Sequence, residues 1–271
     1  MKKLMFAAAV MAVGAAMAVE SQVVGYSSTD IAQSDKEQLF NVALQFENVD
    51  KAGFARFDQV LKTANVPAVA YDGMEDAAAE IMFWNGTGYD HFYYINEAYD
   101  VILDEPIEGD FWTDDAGYTL TDDALHAIGD GLWMKIPANL AGAGASFTLA
   151  GAVNTASELQ IDLFGSDEGT LNLASNPFPT ATDLANVTTT GLVAAAYDGM
   201  EDLANEIMFW NGTGYDHFYY INEAYDIKTD QPIDGDFWVD DAGYTLAAPV
   251  ASVGSAFWAK IFQNGSLTFA K

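Results

Sequence analysis

The chain contains no cysteine and few basic groups. Among its 271 residues there are 10 Lys and Arg against 40 Asp and Glu, only three His, and a formal net charge of −30. The missing cysteine excludes disulfide support, thiol nucleophiles and a lipidated leader, so packing or bound ions must hold the fold. The deficit of cations leaves no basic groove for nucleic acid or an anionic lipid surface. No apolar run reaches the roughly 18 residues of a membrane-spanning helix. The nucleophile elbow G-x-S-x-G, the metalloprotease signature H-E-x-x-H and a phosphate-binding loop are also lacking, so a non-enzyme is expected. A surfeit of carboxylates does not repair this, because 40 of them would supply a glycosidase pair by chance.

What is present is a leader and a duplication. Lys2 and Lys3 precede the apolar stretch Leu4 to Val13 and the small-residue site Ala16-Met17-Ala18. This order reads as a signal peptide over residues 1–18, with export to the cell surface or medium and a mature chain from Val19. Cleavage removes two lysines and no acid, taking the charge of −30 to −32. Tyr71 to Leu120 then recurs as Tyr197 to Leu246 without insertion. The two copies differ only at Ala77, Ala79, Val101, Ile102, Leu103, Glu105, Glu108 and Thr113. Fold reasoning therefore applies per unit. The expected domains are residues 19–152 and 153–271, joined at Gly151 to Thr155. Each is of a size that can bury its own core.

Within each unit, short aromatic runs alternate with Gly, Asp and Asn turns. Ile81 to Trp84 and Tyr89 to Tyr94 flank Asn85-Gly86-Thr87-Gly88, and Ile207 to Trp210 and Tyr215 to Tyr220 flank Asn211-Gly212-Thr213-Gly214. Two aromatic strands around a two-glycine loop predict a hairpin. A second hairpin is predicted with Phe111 to Thr113 and Tyr118 to Leu120 as its arms. Gly131 to Ile136 and Ala256 to Ile261 read as closing strands, and Gln22 to Ser28 as an N-terminal strand with a counterpart in Ala156 to Phe164. Met74 to Ile81 supports one or two helical turns, and Phe54 to Leu61 fits either a short helix or a strand. The fold class expected is all-β: two tandem antiparallel β-sandwiches of immunoglobulin-like or jelly-roll-like type.

The strands are apolar on both faces, whereas a half-exposed sheet would be polar on one. One face is thus expected to be core and the other to lie under a loop, a neighbouring domain or another copy of the chain. Trp84, Tyr89, Tyr93 and Trp112, with their counterparts Trp210, Tyr215, Tyr219 and Trp238, form the candidate assembly or ligand surface. Val23, Val24 and Tyr26 join them as an N-terminal strand able to complete a neighbour's sheet. Tandem units make head-to-tail polymerisation a natural expectation.

Acidic turns supply the second candidate. Asp104, Asp110, Asp114 and Asp115 are matched by Asp230, Asp236, Asp240 and Asp241. Loop carboxylates of this density suit calcium, and equally serve as turn aspartates that bond their own backbone. No cofactor is required by any other feature. His91 and His217 are strand residues expected to bond a neighbour, and Lys135 and Lys260 are expected to lie along an adjacent aromatic ring.

The order LNLASNPFP, FWNGTGYDHFYY, GDFWVDDAGY, VGSAFWAKI and SLTFAK resembles a family of secreted bacterial repeat proteins. Their pattern runs G-W-N-L-x-x-N-P-F/Y-P, W-N-G-x-G-Y, a Trp/Tyr-Asp-rich turn and P-G-x-G-F-W-x-K, and both copies here lack the leading Gly-Trp and the Pro-Gly before the last aromatic strand. The first copy departs from it, with Asn41 to Phe46 in place of the N-P-F-P segment. The resemblance implies β-sandwich repeats on surface and extracellular proteins, without an established activity. Together these readings lead to a non-enzymatic subunit of an extracellular filament, surface layer or matrix whose partners are other copies of itself. The alternative is a carbohydrate-binding or adhesive module contacting surface or matrix glycans through Trp84, Tyr89, Trp112 and their counterparts.

Overall fold

A computed structural model describes residues 24–72, 74–121, 124–196, 200–226, 228–245 and 250–271. The expected signal peptide, Gln22 and Val23 lie outside the described residues. The first repeat runs β1 (Val24–Ile31), β2 (Gln38–Ala43), β3 (Phe54–Arg56), β4 (Leu61–Ala64), β5 (Glu80–Trp84), β6 (Tyr89–Asp100), β7 (Glu105–Asp114), β8 (Leu125–Ala127), β9 (Gly131–Ile136) and β10 (Ala145–Ala152). The second runs β11 (Glu158–Leu163), β12 (Thr170–Ser175), β13 (Thr182–Asp183), β14 (Thr188–Thr190), β15 (Asn205–Trp210), β16 (Tyr215–Asp226), β17 (Gln231–Asp240), β18 (Tyr244–Thr245), β19 (Val250–Ala251), β20 (Ala256–Ile261) and β21 (Gly265–Ala270).

One antiparallel topology occurs twice. A three-stranded sheet β1-β10-β4 faces a five-stranded sheet β2-β9-β5-β6-β7. Likewise β11-β21-β14 faces β12-β20-β15-β16-β17, to which β18 is added. Strand alternation builds a core between the sheets of each pair. Phe46, Phe57, Ile81, Leu132 and Met134 fill the first core, and Phe178, Ile207, Phe257, Ile261 and Phe269 the second. Phe46 and Phe178 occupy corresponding places just past β2 and β12, each essentially inaccessible. The departure of the first copy from the N-P-F-P pattern thus keeps its core aromatic.

The Asn-Gly-Thr-Gly hairpins form as expected. Asn85 Oδ1 accepts from the Thr87 and Gly88 amides, and Gly86 takes φ +96°, which a side chain would oppose. The same geometry returns at Asn211 and Gly212. The second predicted hairpin forms in short form: beyond β7 the chain turns at Asp114 to Gly117 and Thr113 meets Thr119 antiparallel, as Val239 meets Thr245 in the second repeat. Tyr118 also lies beside Tyr99 of β6 in parallel fashion. The long hairpin of this region is β6–β7, which the sequence reading did not include: twelve and ten residues closing through Asp100 to Asp104. Its acidic tip reads in sequence as a cation cluster, which conceals the turn.

Both alternatives for Phe54 to Leu61 are present in series: β3, then the single helical turn α1 (Phe57–Val60), then β4. The alanine-rich stretch makes one turn, α2 (Met74–Ala77), with α3 (Met200–Leu203) at the equivalent place. The N-terminal strand pairs within its own repeat, Val24 opposite Ala152 through Ile31 opposite Ala145. No helix among the described residues is long and apolar enough to cross a membrane.

Candidate functional site

The two five-stranded sheets turn their outer faces toward each other. Trp133, Leu173, Ala256 and Trp258 are buried between them, with Met82, Trp84, Tyr89, Met208 and Tyr215 packed alongside. The contacts are reciprocal. Trp84 at the end of β5 meets Trp258 of β20 edge-on at 5.5 Å, and Trp210 at the end of β15 meets Trp133 of β9 at 6.3 Å. The Ala43 amide donates to the Gly254 carbonyl at 3.0 Å, and the Ser175 amide to the Gly129 carbonyl at 2.6 Å. Each contact joins position i of one repeat to position j of the other, and j back to i. The arrangement is an approximate two-fold, and a contact of that kind closes on itself.

The aromatic surface expected from the sequence is therefore corrected in two ways. Trp84, Tyr89 and Tyr215 pack into this internal junction, and Trp210, 38% exposed, meets it through Trp133. Burial raises the Tyr89 phenol above its ordinary pKa, and the nearby Tyr215 adds to the effect. Tyr93, Trp112, Tyr219 and Trp238 are buried side chains. Trp112 lies on the inner face of β7 against Phe57 and Tyr94, and Trp238 packs on Tyr220. Tyr93 and Tyr219 occupy the outer face but are covered, in satellite clusters with Met74 and Ala78 and with Ala204 respectively. Burial and the neighbouring Glu80 carboxylate push the Tyr93 phenol up to about 12. Of the N-terminal candidates, Val24 and Tyr26 are exposed at 65% and 78%; Val23 lies outside the described residues.

The acidic residues hold turns. Asp114 Oδ1 accepts from the Ala116 and Tyr118 amides, and Asp240 Oδ1 from those of Ala242 and Tyr244. Asp104 and Asp230 sit at φ 58° and 54° in the tips of the long hairpins, and Asp104 accepts a bond from the Tyr99 hydroxyl. Asp110, Asp115, Asp236 and Asp241 are exposed. Among the described residues, no three His, Asp or Glu side chains converge as a metal-holding group.

A polar cluster escapes sequence reading. Glu80, 2% exposed, bonds both His91 and Lys135, and Glu206 bonds His217 at the equivalent place. Glu80 lies directly opposite Lys135 across the β5–β9 pair. The register that brings them together is absent from the linear pattern.

A cleft flanks the junction at each end, and the two are unequal. One of about 630 Å3 is lined by β1, β2, Trp210 and residues 252–256, and one of about 330 Å3 by β11, β12 and Trp84. In the smaller cleft Trp84 Nε1 donates to the Leu171 carbonyl at 2.7 Å. No protein-family model matches the chain, and neither a curated protein nor a solved structure matches it.

Proposed function

We propose that the protein is a non-enzymatic structural subunit of an extracellular filament, surface layer or matrix. In this reading it associates with further copies of itself through the outer edge of β1. The carrying observation is that β1 is an eight-residue strand at the edge of its sheet, with Val24 and Tyr26 standing exposed. An open edge offers a row of backbone donors and acceptors to another strand.

Charge argues against several of the other edges, while β2, β12 and β14 are uncharged but shorter than β1. Strands at or near other margins bear acids: Glu105, Glu108 and Asp110 on β7, Asp234 and Asp236 on β17, Glu158 and Asp162 on β11. In a chain of net charge −30 those edges repel one another. From Val24 to Thr29, β1 carries no charge. The closed aromatic junction supports the same choice, since it leaves those faces unavailable for a head-to-tail series. The leader-like N-terminus and the resemblance to secreted repeat proteins support a surface location.

The test is sedimentation velocity and negative-stain electron microscopy on residues 19–271, with calcium and then with chelator. Concentration-dependent oligomers or ordered polymers are expected. Val24→Glu combined with Tyr26→Glu should abolish them while leaving the circular dichroism spectrum and Tm unchanged, because both side chains point into water. Loss of polymers in chelator would give the acidic turns a bridging role through calcium. A monomer at every concentration in both conditions would remove self-association as the function.

A further inference from the structure

Glu80 and Lys135 face each other across the β5–β9 pair, in the polar cluster on the outer face of the first repeat's larger sheet. The Glu80 carboxyl is 2% exposed, and its two oxygens differ in their surroundings. Oε1 is bonded to His91 Nδ1. Oε2 is inaccessible to solvent and has no hydrogen-bond partner, although the Lys135 ammonium lies against it; the contact is off hydrogen-bond geometry. An ordinary buried ion pair aligns an N–H with the oxygen, and a carboxylate oxygen left without one is costly. Tyr93, whose phenol is kept protonated by burial and by this carboxylate, stands beside the same group.

The second repeat supplies the contrast. Glu206 and Lys260 hold the same register across β15 and β20. Lys260 turns instead to the Phe262 ring, 5.1 Å from its centroid, where an aromatic face attracts a cation. The first repeat has Pro137 in place of Phe262, so no ring at that position competes for the Lys135 amine.

We propose that Lys135 and Glu80 join in an intramolecular amide bond, closed with loss of one water. The Lys135 ammonium gives a proton to Glu80 Oε2, leaving an amine beside a carboxylic acid. The Nζ lone pair then bonds to Cδ, and negative charge collects on Oε1. His91, with Nδ1 protonated, donates to that oxygen, and Tyr93 is a second donor close by. A second proton passes from Nζ to Oε2, the Cδ–Oε2 bond breaks, and Oε2 departs as water. One hydrogen stays on Nζ as the amide N–H, and Oε1 remains as the carbonyl that accepts from His91. The pair is neutral in sum before and after, so the step needs no oxidant, reductant or co-reactant. It removes the one oxygen that the cluster leaves unsatisfied. Contact between amine and carboxyl replaces a bimolecular encounter, and burial keeps water from reversing the reaction. In a chain without cysteine the product is a covalent tie between neighbouring strands. The cluster lies on β5, β6 and β9 and not on β1, so the bond stands or falls independently of self-association.

Intact-mass spectrometry of denatured residues 19–271 tests this. The chain is expected to be lighter than its sequence by one water and not two, because Lys260 is held elsewhere. Tryptic mapping should find Lys135 uncleaved and its peptide joined to the one that contains Glu80. Lys135→Arg keeps a cation opposite Glu80 and removes the nucleophilic amine. It should restore the full mass and lower Tm by roughly 10 °C, the scale of a cross-link that closes a loop of this length. His91→Ala removes the donor to Oε1 and should give a mixture of the two masses that moves toward the lighter one on incubation. A parent chain that keeps its full mass after prolonged incubation would overturn the proposal. So would a missing water that maps to a succinimide at an Asp-Gly pair.

Discussion

Gly131→Val is expected to part the two repeats while each keeps its own core. Gly131 opens β9 at the junction, where a Cβ would lie 2.6 Å from the Ala256 Cβ and 2.8 Å from the Leu173 Cγ. The Ala174 carbonyl, 3.2 Å away, closes the third side. None of these is the far end of a flexible chain, so the neighbours cannot step aside. Overpacking of this kind typically costs about 1–3 kcal/mol, and separation of the sheets is the available relief. Because Trp84, Trp133, Trp210 and Trp258 all lie in the junction, parting it hydrates four of the six tryptophans. The expected signature is a red shift in tryptophan emission, a larger radius of gyration in small-angle scattering, and faster proteolysis between β10 and β11. The approximate two-fold provides the control. Gly131 and Ala256 are equivalent positions, so Gly131→Ala should show a milder form of the defect and Gly131→Ala with Ala256→Gly should reverse it. A Gly131→Val chain with unchanged emission and scattering would show that the sheets are not held face to face as described.

His126 is expected to make the fold sensitive to acid. Its ring stacks on Phe83 at 3.4 Å with 5° between planes, and its Nε2 is buried without a partner. Burial lowers its pKa to about 4, with the Asp90 charge opposing only in part. The unfolded chain takes up this proton near 6.5, so the stabilising contribution is intact above that pH. It is lost as pH falls from 6.5 toward 4. At 1.36 kcal/mol per unit the loss amounts to about 3 kcal/mol. Asp130, whose carboxylate is 4.0 Å from the His126 Nδ1, works in the other direction. Burial raises it to about 6 against the bond from the Ala127 amide, so its protonation favours the folded state between pH 6 and 3.8. Its side chain is 41% accessible, however, and water screens its contribution more than that of the histidine. Thermal melts from pH 7 to 4.5 should therefore fall more steeply for the parent chain than for His126→Phe. The phenylalanine keeps the stack and removes the titrating nitrogen, and comparing the two chains cancels the common background of 40 carboxylates. Parallel slopes would rule out His126 as the acid-sensitive group.

The linear pattern determined the all-β class, the duplication and the β5–β6 and β15–β16 hairpins, because these depend on local alternation and on Gly and Asn at fixed offsets. It also placed β9, β20 and the N-terminal strand, and it allowed for aspartates that bond their own turns. The long β6–β7 hairpin was hidden because its acidic tip reads alike as a turn and as a cation site. The fate of the aromatic residues could not be settled at that level. Alternation shows that β5 is apolar on both faces, but not whether the second face meets loop, solvent or its own repeat. Tertiary structure decided that Trp112 and Trp238 lie in the cores and that Trp84 and Trp210 meet the opposite repeat's closing strands. It also decided that Asn41, unremarkable in a strand of mixed composition, takes the place across from Trp133 that Leu173 takes across from Trp258. The reason is physical: a strand's faces are encoded by neighbours two residues apart, whereas reciprocity between sheets depends on contacts between residues far apart in the chain, such as Trp84 with Trp258.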